Sequence, residues 1–157
     1  MNSLLNDDIV RRSRRGKSFE DVVLKKYGGV PQVAFINGDL CRDCSRKGAS
    51  IADIVRINEE GDLESIECKS INPYDNGCFY QLSCRLLDQI RRLKINLPYG
   101  TKQRLVFEDF GFSEEMKNEI REIIWERLNR IYYMIDIDFL NRKEVNNAGH
   151  GESPAAL

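Results

Sequence analysis

Residues 51–70 read IADIVRINEEGDLESIECKS. Two runs of alternating apolar residues flank a polar turn that contains Gly61, and this pattern predicts a β-hairpin. Asp53 lies near the start of the first run, and Glu67 and Lys69 lie near the end of the second, so antiparallel pairing brings these ends together. Side chains two residues apart on a strand share a face. Two carboxylates and an ammonium therefore converge on one side of the sheet, an arrangement that suits Mg²⁺ and phosphodiester hydrolysis.

The composition is that of one globular domain. The chain has 157 residues, a formal net charge of −1, 31% charged residues and 41% hydrophobic residues, which indicates a soluble domain with its own core. No apolar run reaches the roughly 18 residues of a membrane span, and the acidic start lacks the apolar segment of a secretory signal. We expect a cytoplasmic protein, in the host cytoplasm if the chain is viral, with one domain at 1–140 and a disordered tail at 141–157.

Turn residues and hydrophobic periodicity predict the other elements. Gly28-Gly29 is expected to end a helix that begins at Ser18 as N-cap, and Ser113 is expected to cap a later helix. The predicted elements outside the hairpin are a helix at 17–27, a strand at 33–36, a polar loop at 37–50, a helix at 85–93, a strand at 104–107, a helix at 113–129 and a strand at 131–139. This order predicts an α/β fold with a mixed central sheet flanked by helices.

Together with Glu20 on the first helix, the hairpin resembles the PD-(D/E)xK nuclease superfamily, nearest to the archaeal-type Holliday junction resolvases. The matching stretches are RGKSFE at 15–20, GASIADI at 48–54 and IECKS at 66–70. The resemblance covers about residues 13–110 and implies a restriction-endonuclease-like fold. The chain departs from the family where Ala52 replaces a frequent Pro and where the 37–50 loop carries a Cys-x-x-Cys pair.

The resemblance implies a Mg²⁺- or Mn²⁺-dependent DNA endonuclease and assigns a role to each matching residue. Asp53 and Glu67 are expected to bind the metal, with the carbonyl of Cys68 as a third ligand. Glu20 is expected to reach the metal through water or to bind a second ion. Lys69 is expected to orient the attacking water or to stabilise developing negative charge, and Ser50 to hydrogen-bond a phosphate or a water on the metal.

Some nucleases of this superfamily carry a further glutamine on the helix that follows the Glu-x-Lys triplet. Gln81 and Gln89 are the two candidates in this chain. The tyrosine expected four residues later is missing in both cases, since Arg85 follows Gln81 and Leu93 follows Gln89. The sequence leaves this choice open.

Basic residues near the first helix and in the 37–50 loop are candidates for binding the nucleic-acid backbone, which would give sequence-independent contacts. They are Arg12, Arg14, Arg15, Lys17, Arg42, Arg46 and Lys47. We find no recognition helix and expect structure-selective or non-specific cutting. The aromatic-rich strand at 131–139 is a candidate dimer edge, because a homodimer with paired active sites suits junction or double-strand cleavage.

The cysteines support a second interpretation. Four of them would suffice for a tetrahedral Zn²⁺ site, namely Cys41, Cys44, Cys78 and Cys84. In a chain without a secretory signal, reduced thiols are the favoured interpretation of these cysteines. The alternative functions are a non-catalytic nucleic-acid-binding module, zinc-stabilised or not, a nuclease that acts on RNA, and a sequence-specific restriction-like nuclease. His150 is the single histidine and lies in the tail, which argues against histidine-based catalysis.

Overall fold

The computed structural model describes residues 2–42, 47–75, 79–128 and 135–148, and the side chains of 14–42, 47–75, 79, 84–128 and 135–145. Along the chain, the helices and strands are α1 (Asn2–Tyr27), β1 (Val30–Ile36), β2 (Asp39–Leu40), β3 (Ser50–Ile57), β4 (Leu63–Lys69), α2 (Phe79–Asn96), β5 (Lys102–Glu108), α3 (Glu114–Leu128), β6 (Asp136–Leu140) and α4 (Arg142–Ala148).

The strands form one mixed sheet in the order β2-β1-β3-β4-β5-β6. Strands β1, β3 and β4 pair antiparallel, and the predicted hairpin is the β3–β4 pair. Strands β4, β5 and β6 pair in parallel, with α2 and α3 as the crossover helices. The α/β class with a mixed sheet between helices is therefore confirmed.

Helices cover both faces of the sheet. On one face, Phe19 and Val23 of α1 pack with Ile54, Ile66 and Val106 of the sheet. On the other face, α2 and α3 pack against β5 and β6 through a larger cluster that includes Leu86, Ile90, Leu105, Phe107, Ile120 and Ile124. The order of layers is therefore α1 and α4, then the sheet, then α2 and α3.

Helix α1 begins well before the predicted helix and contains Ser18 in its interior. The Ser18 hydroxyl accepts a hydrogen bond from Arg142 Nη1 at 3.0 Å, so it contacts another helix instead of capping its own. The predicted end is correct, because α1 ends at Tyr27 and Gly28 follows with φ 75°. At Gly29, a Cβ would lie 2.5 Å from the Val55 carbonyl oxygen, so any side chain there would collide with β3.

Helix α4 lies where the sequence predicts a disordered tail. Its first residue, Arg142, donates to both carboxylate oxygens of the buried Glu108, at 2.6 and 2.7 Å. Val145 packs against the α1 face of the core. A bidentate arginine–carboxylate pair is strong and geometrically specific, which explains why residues 142–148 are ordered against the domain. Residues 149–157 lie outside the described part of the chain.

Other boundaries differ modestly from the predictions. Helix α2 is longer at both ends than the predicted 85–93 helix. Ser113 caps α3 as expected, since its hydroxyl accepts a hydrogen bond from the Met116 N–H at 3.2 Å. Strand β6 forms an edge of the sheet, and residues 131–134 of the predicted strand lie outside the described residues. Within the described ranges, no helix combines the length and apolar character needed to cross a bilayer.

Candidate active site

The site forms where the two strands of the hairpin separate. The β3–β4 ladder ends at the pair Ile54–Ile66, one residue before Asp53 would face Glu67. Side chains replace the ladder beyond this point. The Cys68 N–H donates to Asp53 Oδ2 at 2.8 Å, and the Asp53 N–H donates to Glu67 Oε1 at 3.4 Å. Each carboxylate is thereby fixed by the opposite strand.

A cavity of about 350 Å³ opens at this fork. Its lining includes all five residues that the sequence predicts to be catalytic: Glu20, Ser50, Asp53, Glu67 and Lys69. The first comes from α1, where the buried Phe19 and Val23 anchor the helix to the sheet. The others come from β3 and β4. The Asp…Glu-x-Lys spacing and the first helix therefore do meet in space, as the resemblance implies.

Three acidic side chains line the cavity, and burial raises the pKa of each. Burial and the repulsion of Asp53 raise the pKa of Glu67 to about 8. Burial also raises the pKa of Asp53, although the Cys68 N–H and Lys69 oppose the shift. Burial and the repulsion of Asp53 raise the pKa of Glu20. A carboxylate cluster whose charge is opposed in this way gains from a bound cation.

The donor set fits Mg²⁺ or Mn²⁺. Carboxylate oxygens are hard ligands, and proteins usually hold Mg²⁺ through one or two carboxylates plus water and substrate phosphate. Among the described residues, no group of three or more His, Cys, Asp and Glu side chains forms a metal cluster by itself. Asp53 and Glu67 are therefore the residues that would hold the ion, and the rest of its shell would come from solvent and substrate.

Gln89 of α2 contacts the catalytic lysine candidate. Its Oε1 accepts a hydrogen bond from Lys69 Nζ at 2.5 Å. Gln89 is therefore placed at the site, whereas the side chain of Gln81, in the first turn of α2, lies outside the described residues. The bond holds the Lys69 ammonium at the cavity wall.

Asn96 is a residue of the site that the sequence reasoning missed. It is buried at the end of α2, and its Nδ2 donates to Ser50 Oγ at 2.7 Å and to the Gly48 carbonyl at 3.0 Å. Its Oδ1 accepts the N–H of Asn37 at 3.1 Å. Because the Ser50 oxygen acts as acceptor, its hydroxyl proton remains able to donate to an anion. No signal in the sequence pairs Asn96 with Ser50.

Arg92 is the second residue that the sequence does not place at the site. It lines the cavity on α2, three residues after Gln89, and the two side chains are neighbours on the helix surface. Within the described part of the chain, its guanidinium has no hydrogen bond or ion pair. The sequence shows Arg92 in a general basic cluster, and the helical spacing from Gln89 is the signal that would have located it.

Five of the seven predicted nucleic-acid contacts are described, and all five are exposed. Arg14, Arg15 and Lys17 are exposed on α1, and the positive charge of Lys17 partly offsets the raised pKa of Glu20. Arg15 Nη2 donates to the Ser70 carbonyl at 3.3 Å, next to Lys69. Arg42 and Lys47 are also exposed. The side chain of Arg12 and the whole of Arg46 lie outside the described residues.

The structure describes two of the four cysteines that the sequence offers as zinc ligands. Cys41 is buried after β2, where its N–H donates to the Ala34 carbonyl at 2.8 Å. Cys84 lies on α2, where its sulfur accepts a hydrogen bond from Arg127 Nη1 at 3.4 Å. Cys44 and Cys78 lie outside the described ranges, so the zinc site stays a prediction.

Comparison with known proteins adds no family to this description. No family model matches the chain, and no curated protein matches it. A function for this protein rests on the geometry and electrostatics of the cavity.

Proposed function

We propose that this protein is a Mg²⁺- or Mn²⁺-dependent endonuclease that hydrolyses phosphodiester bonds in DNA. The observation that carries the proposal is the convergence of Glu20, Asp53, Glu67 and Lys69 on one cavity at the β3–β4 fork. The raised pKa of Glu67, caused first by burial and then by Asp53, supports a cation site there.

Each residue of the cavity has a distinct task in this reaction. Asp53 and Glu67 hold the cation, which when bound supplies Lewis-acid activation of water and charge neutralisation on the phosphate. Lys69, steadied by Gln89, presents its ammonium to negative charge that develops on the phosphate. The hydroxyl of Ser50 donates to a phosphate oxygen. Hydrolysis forms one P–O bond to the water oxygen and breaks one P–O bond to a sugar oxygen, which leaves with a proton.

The substrate class follows from the charges around the cavity. The exposed basic side chains would contact phosphates, and such contacts are independent of base sequence. They are Arg14, Arg15 and Lys17 on α1, together with Arg42 and Lys47. Arg92 would add a phosphate contact inside the cavity. This favours structure-selective or non-specific cutting, with Holliday junction resolution as the finer proposal. A homodimer through the β6 edge would place two active sites on one DNA molecule.

The decisive experiment compares two site variants with two matched controls. Asp53→Ala and Lys69→Ala each remove one charge from the cavity, while Glu60→Ala and Lys102→Ala remove the same charges from the exposed ion pair at the far end of the sheet. The substrates are a four-way junction, linear duplex, single strands and RNA, each with Mg²⁺ and with chelator. We expect the site variants to cut DNA roughly 10²- to 10³-fold more slowly and the controls to cut normally.

The same assay separates the alternatives. If Asp53→Ala and Lys69→Ala cut as fast as the unmodified chain, the site assignment is wrong. If no substrate is cut but DNA is bound, the protein is a non-catalytic binding module. Preferential cutting of RNA, or of one duplex sequence, would support the RNA-directed or restriction-like nuclease. Native mass spectrometry with and without chelator tests zinc, and the mass of the bare polypeptide would exclude it.

A further inference from the structure

Strand β1 is distorted directly opposite the catalytic aspartate candidate. In the β1–β3 ladder, Pro31 pairs with Ile54 and Val33 pairs with Ala52. Gln32 and Asp53 lie opposite each other between these pairs, but they form no ladder pair themselves. Gln32 has φ 54°, in the left-handed region. Residues with a side chain rarely adopt this conformation, and glycine is the usual residue where it is required.

The distortion changes the orientation of β3 at Asp53. Residues two apart on a regular strand share a face. Here Ala52 packs with Leu93 and Leu97 of α2 on one face, whereas Ile54 packs in the α1 cluster on the other. The alternation therefore changes phase at Asp53, which is the point where the β3–β4 ladder also ends. The backbone of Gln32 faces this break from the neighbouring strand.

The side chain of Gln32 reaches a second residue of the cavity. Its Nε2 donates to Glu20 Oε2 at 3.1 Å. Glu20 lines the cavity and is repelled by Asp53, so a donor on one carboxylate oxygen offsets part of that repulsion and fixes the side chain. A glycine at position 32 would satisfy the backbone better and would leave Glu20 without this donor.

We propose that Gln32 is a positioning residue of the active site. Its amide holds Glu20 toward Asp53, and its left-handed backbone maintains the break in β3 that presents Asp53 to the cavity. This inference rests on the proposed function, because it assigns to Gln32 the task of arranging carboxylates that bind the catalytic cation. It explains why a glutamine occupies a position whose backbone favours glycine.

The test uses Gln32→Gly, Gln32→Ala and the matched control Asn37→Gly. Asn37 is the other described residue with a side chain and positive φ, at 49°. Glycine at either position relieves left-handed backbone strain, so we expect the melting temperature to rise by about 2–4 °C in both. Cleavage and Mn²⁺ affinity should fall roughly tenfold in Gln32→Gly and Gln32→Ala, and should be unchanged in Asn37→Gly, which keeps the backbone N–H that donates to Asn96. A purely structural role would not lower activity while raising stability.

A double-mutant cycle with Glu20→Ala tests whether Gln32 acts through Glu20. We expect Glu20→Ala and Glu20→Ala/Gln32→Ala to cut equally slowly, because the donor has lost its acceptor. A further loss in the double variant would overturn the inference, as would full activity in Gln32→Gly.

If the chain cuts no substrate, the proposed function fails, but the inference about Gln32 can still be tested. Two measurements do so. Mn²⁺ affinity by calorimetry should be lower in Gln32→Gly than in the unmodified chain, and equal affinities would overturn the role of Gln32. If the chain binds no Mn²⁺, the side-chain amide resonances of Gln32 in the metal-free protein should still move in Glu20→Ala. Unmoved resonances would show that the Gln32–Glu20 contact does not form.

Discussion

Strand β4 carries two buried glutamates, three residues apart, in opposite electrostatic environments. Glu64 is 1% exposed and accepts hydrogen bonds from Arg56 Nε at 2.9 Å and Arg104 Nε at 3.1 Å. Glu67 is 8% exposed and accepts the backbone N–H of Asp53, a residue that is itself acidic. Among the described residues, Glu67 forms no salt bridge. One carboxylate is neutralised inside the fold and the other is not.

The difference separates a charge that the fold pairs with arginines from one that it leaves without such partners. Around Glu64, Arg104 also donates to Asp138 at 2.7 Å, and Asp138 accepts the Tyr27 hydroxyl at 2.6 Å, so the network with Arg56 joins α1 to four strands. Burying a carboxylate without such partners is unfavourable and raises its pKa. The contrast between the paired Glu64 and the unpaired Glu67 supports the proposed cation site at Glu67.

Exchanging each glutamate for glutamine gives the largest expected effects. Glu67→Gln should lower the rate of Mg²⁺-dependent cleavage by about 10³-fold, because it removes a carboxylate that holds the ion, and should leave the domain stable. Glu64→Gln should keep cleavage near normal while the domain is folded and should lower the free energy of unfolding by about 3–5 kcal/mol. Single-turnover cleavage and urea denaturation of both variants measure the two effects.

The proposed distinction between Glu64 and Glu67 is wrong if the two variants behave alike. A Glu64→Gln protein that is folded but inactive would place Glu64 in the chemistry. A Glu67→Gln protein that is as unstable as Glu64→Gln would make Glu67 part of the structural framework. Circular dichroism at the assay temperature is the control that shows whether each variant is folded.

The sequence predicts the hairpin and its acidic end because the signals there are local. Period-two alternation and the turn at Gly61 define both strands, and strand pairing then brings Asp53 to Glu67. The same pattern does not distinguish Glu64 from Glu67. Arg56 lies in the hairpin, but Arg104 comes from β5, 40 residues after Glu64, and only packing brings it there.

Other missed features also depend on distant contacts. The placement of Gln89 beside Lys69 depends on the rotation of α2 about its axis, which a short amphipathic pattern fixes poorly. The order of α4 depends on Arg142 meeting Glu108, 34 residues away. The distortion at Gln32 has no sequence signal, because a glutamine is not a residue that predicts positive φ.

The stability of the metal-free protein should depend on pH through Glu67. The pKa of Glu67 is raised from 4.5 to about 8, first by burial and then by Asp53. Because the folded pKa of Glu67 lies above the unfolded one, protonation of Glu67 stabilises the folded state. This contribution is complete below the unfolded pKa and is lost as the pH rises through the folded pKa. We expect the metal-free protein to lose on the order of 2–4 kcal/mol between about pH 5 and about pH 9. Urea denaturation in the presence of chelator measures this loss.

Two controls assign that loss to the cavity. Glu67→Gln carries no titrating proton, so its unfolding free energy should vary less over the same range and should exceed that of the unmodified chain at alkaline pH. Mg²⁺ should restore stability to the unmodified chain at alkaline pH and have little effect on Glu67→Gln. Identical pH profiles for the two proteins would mean that the buried pair does not titrate in this window.

The arginines also divide into those that are paired with acidic side chains and one that is not. Arg56 and Arg104 are neutralised by Glu64, whereas Arg92 lines the cavity without a partner among the described residues. An unpaired guanidinium beside a cavity proposed to receive a phosphate suits bidentate contact with that phosphate. We expect Arg92→Ala to lower kcat/KM about tenfold, a loss of about 1.4 kcal/mol, mainly through a higher KM.

Two further variants, Arg92→Lys and Lys102→Ala, show whether Arg92 contacts the phosphate directly or acts through its charge alone. Lysine keeps the charge and loses the planar fork, so Arg92→Lys should recover only part of the affinity if the phosphate contact is bidentate. Lys102→Ala removes a charge at the opposite ends of the parallel strands and should leave KM unchanged. If both single-charge losses raise KM equally, Arg92 acts through the general field of the protein. A rise confined to Arg92→Ala would instead support a direct contact between the substrate and Arg92, which is exposed at the cavity.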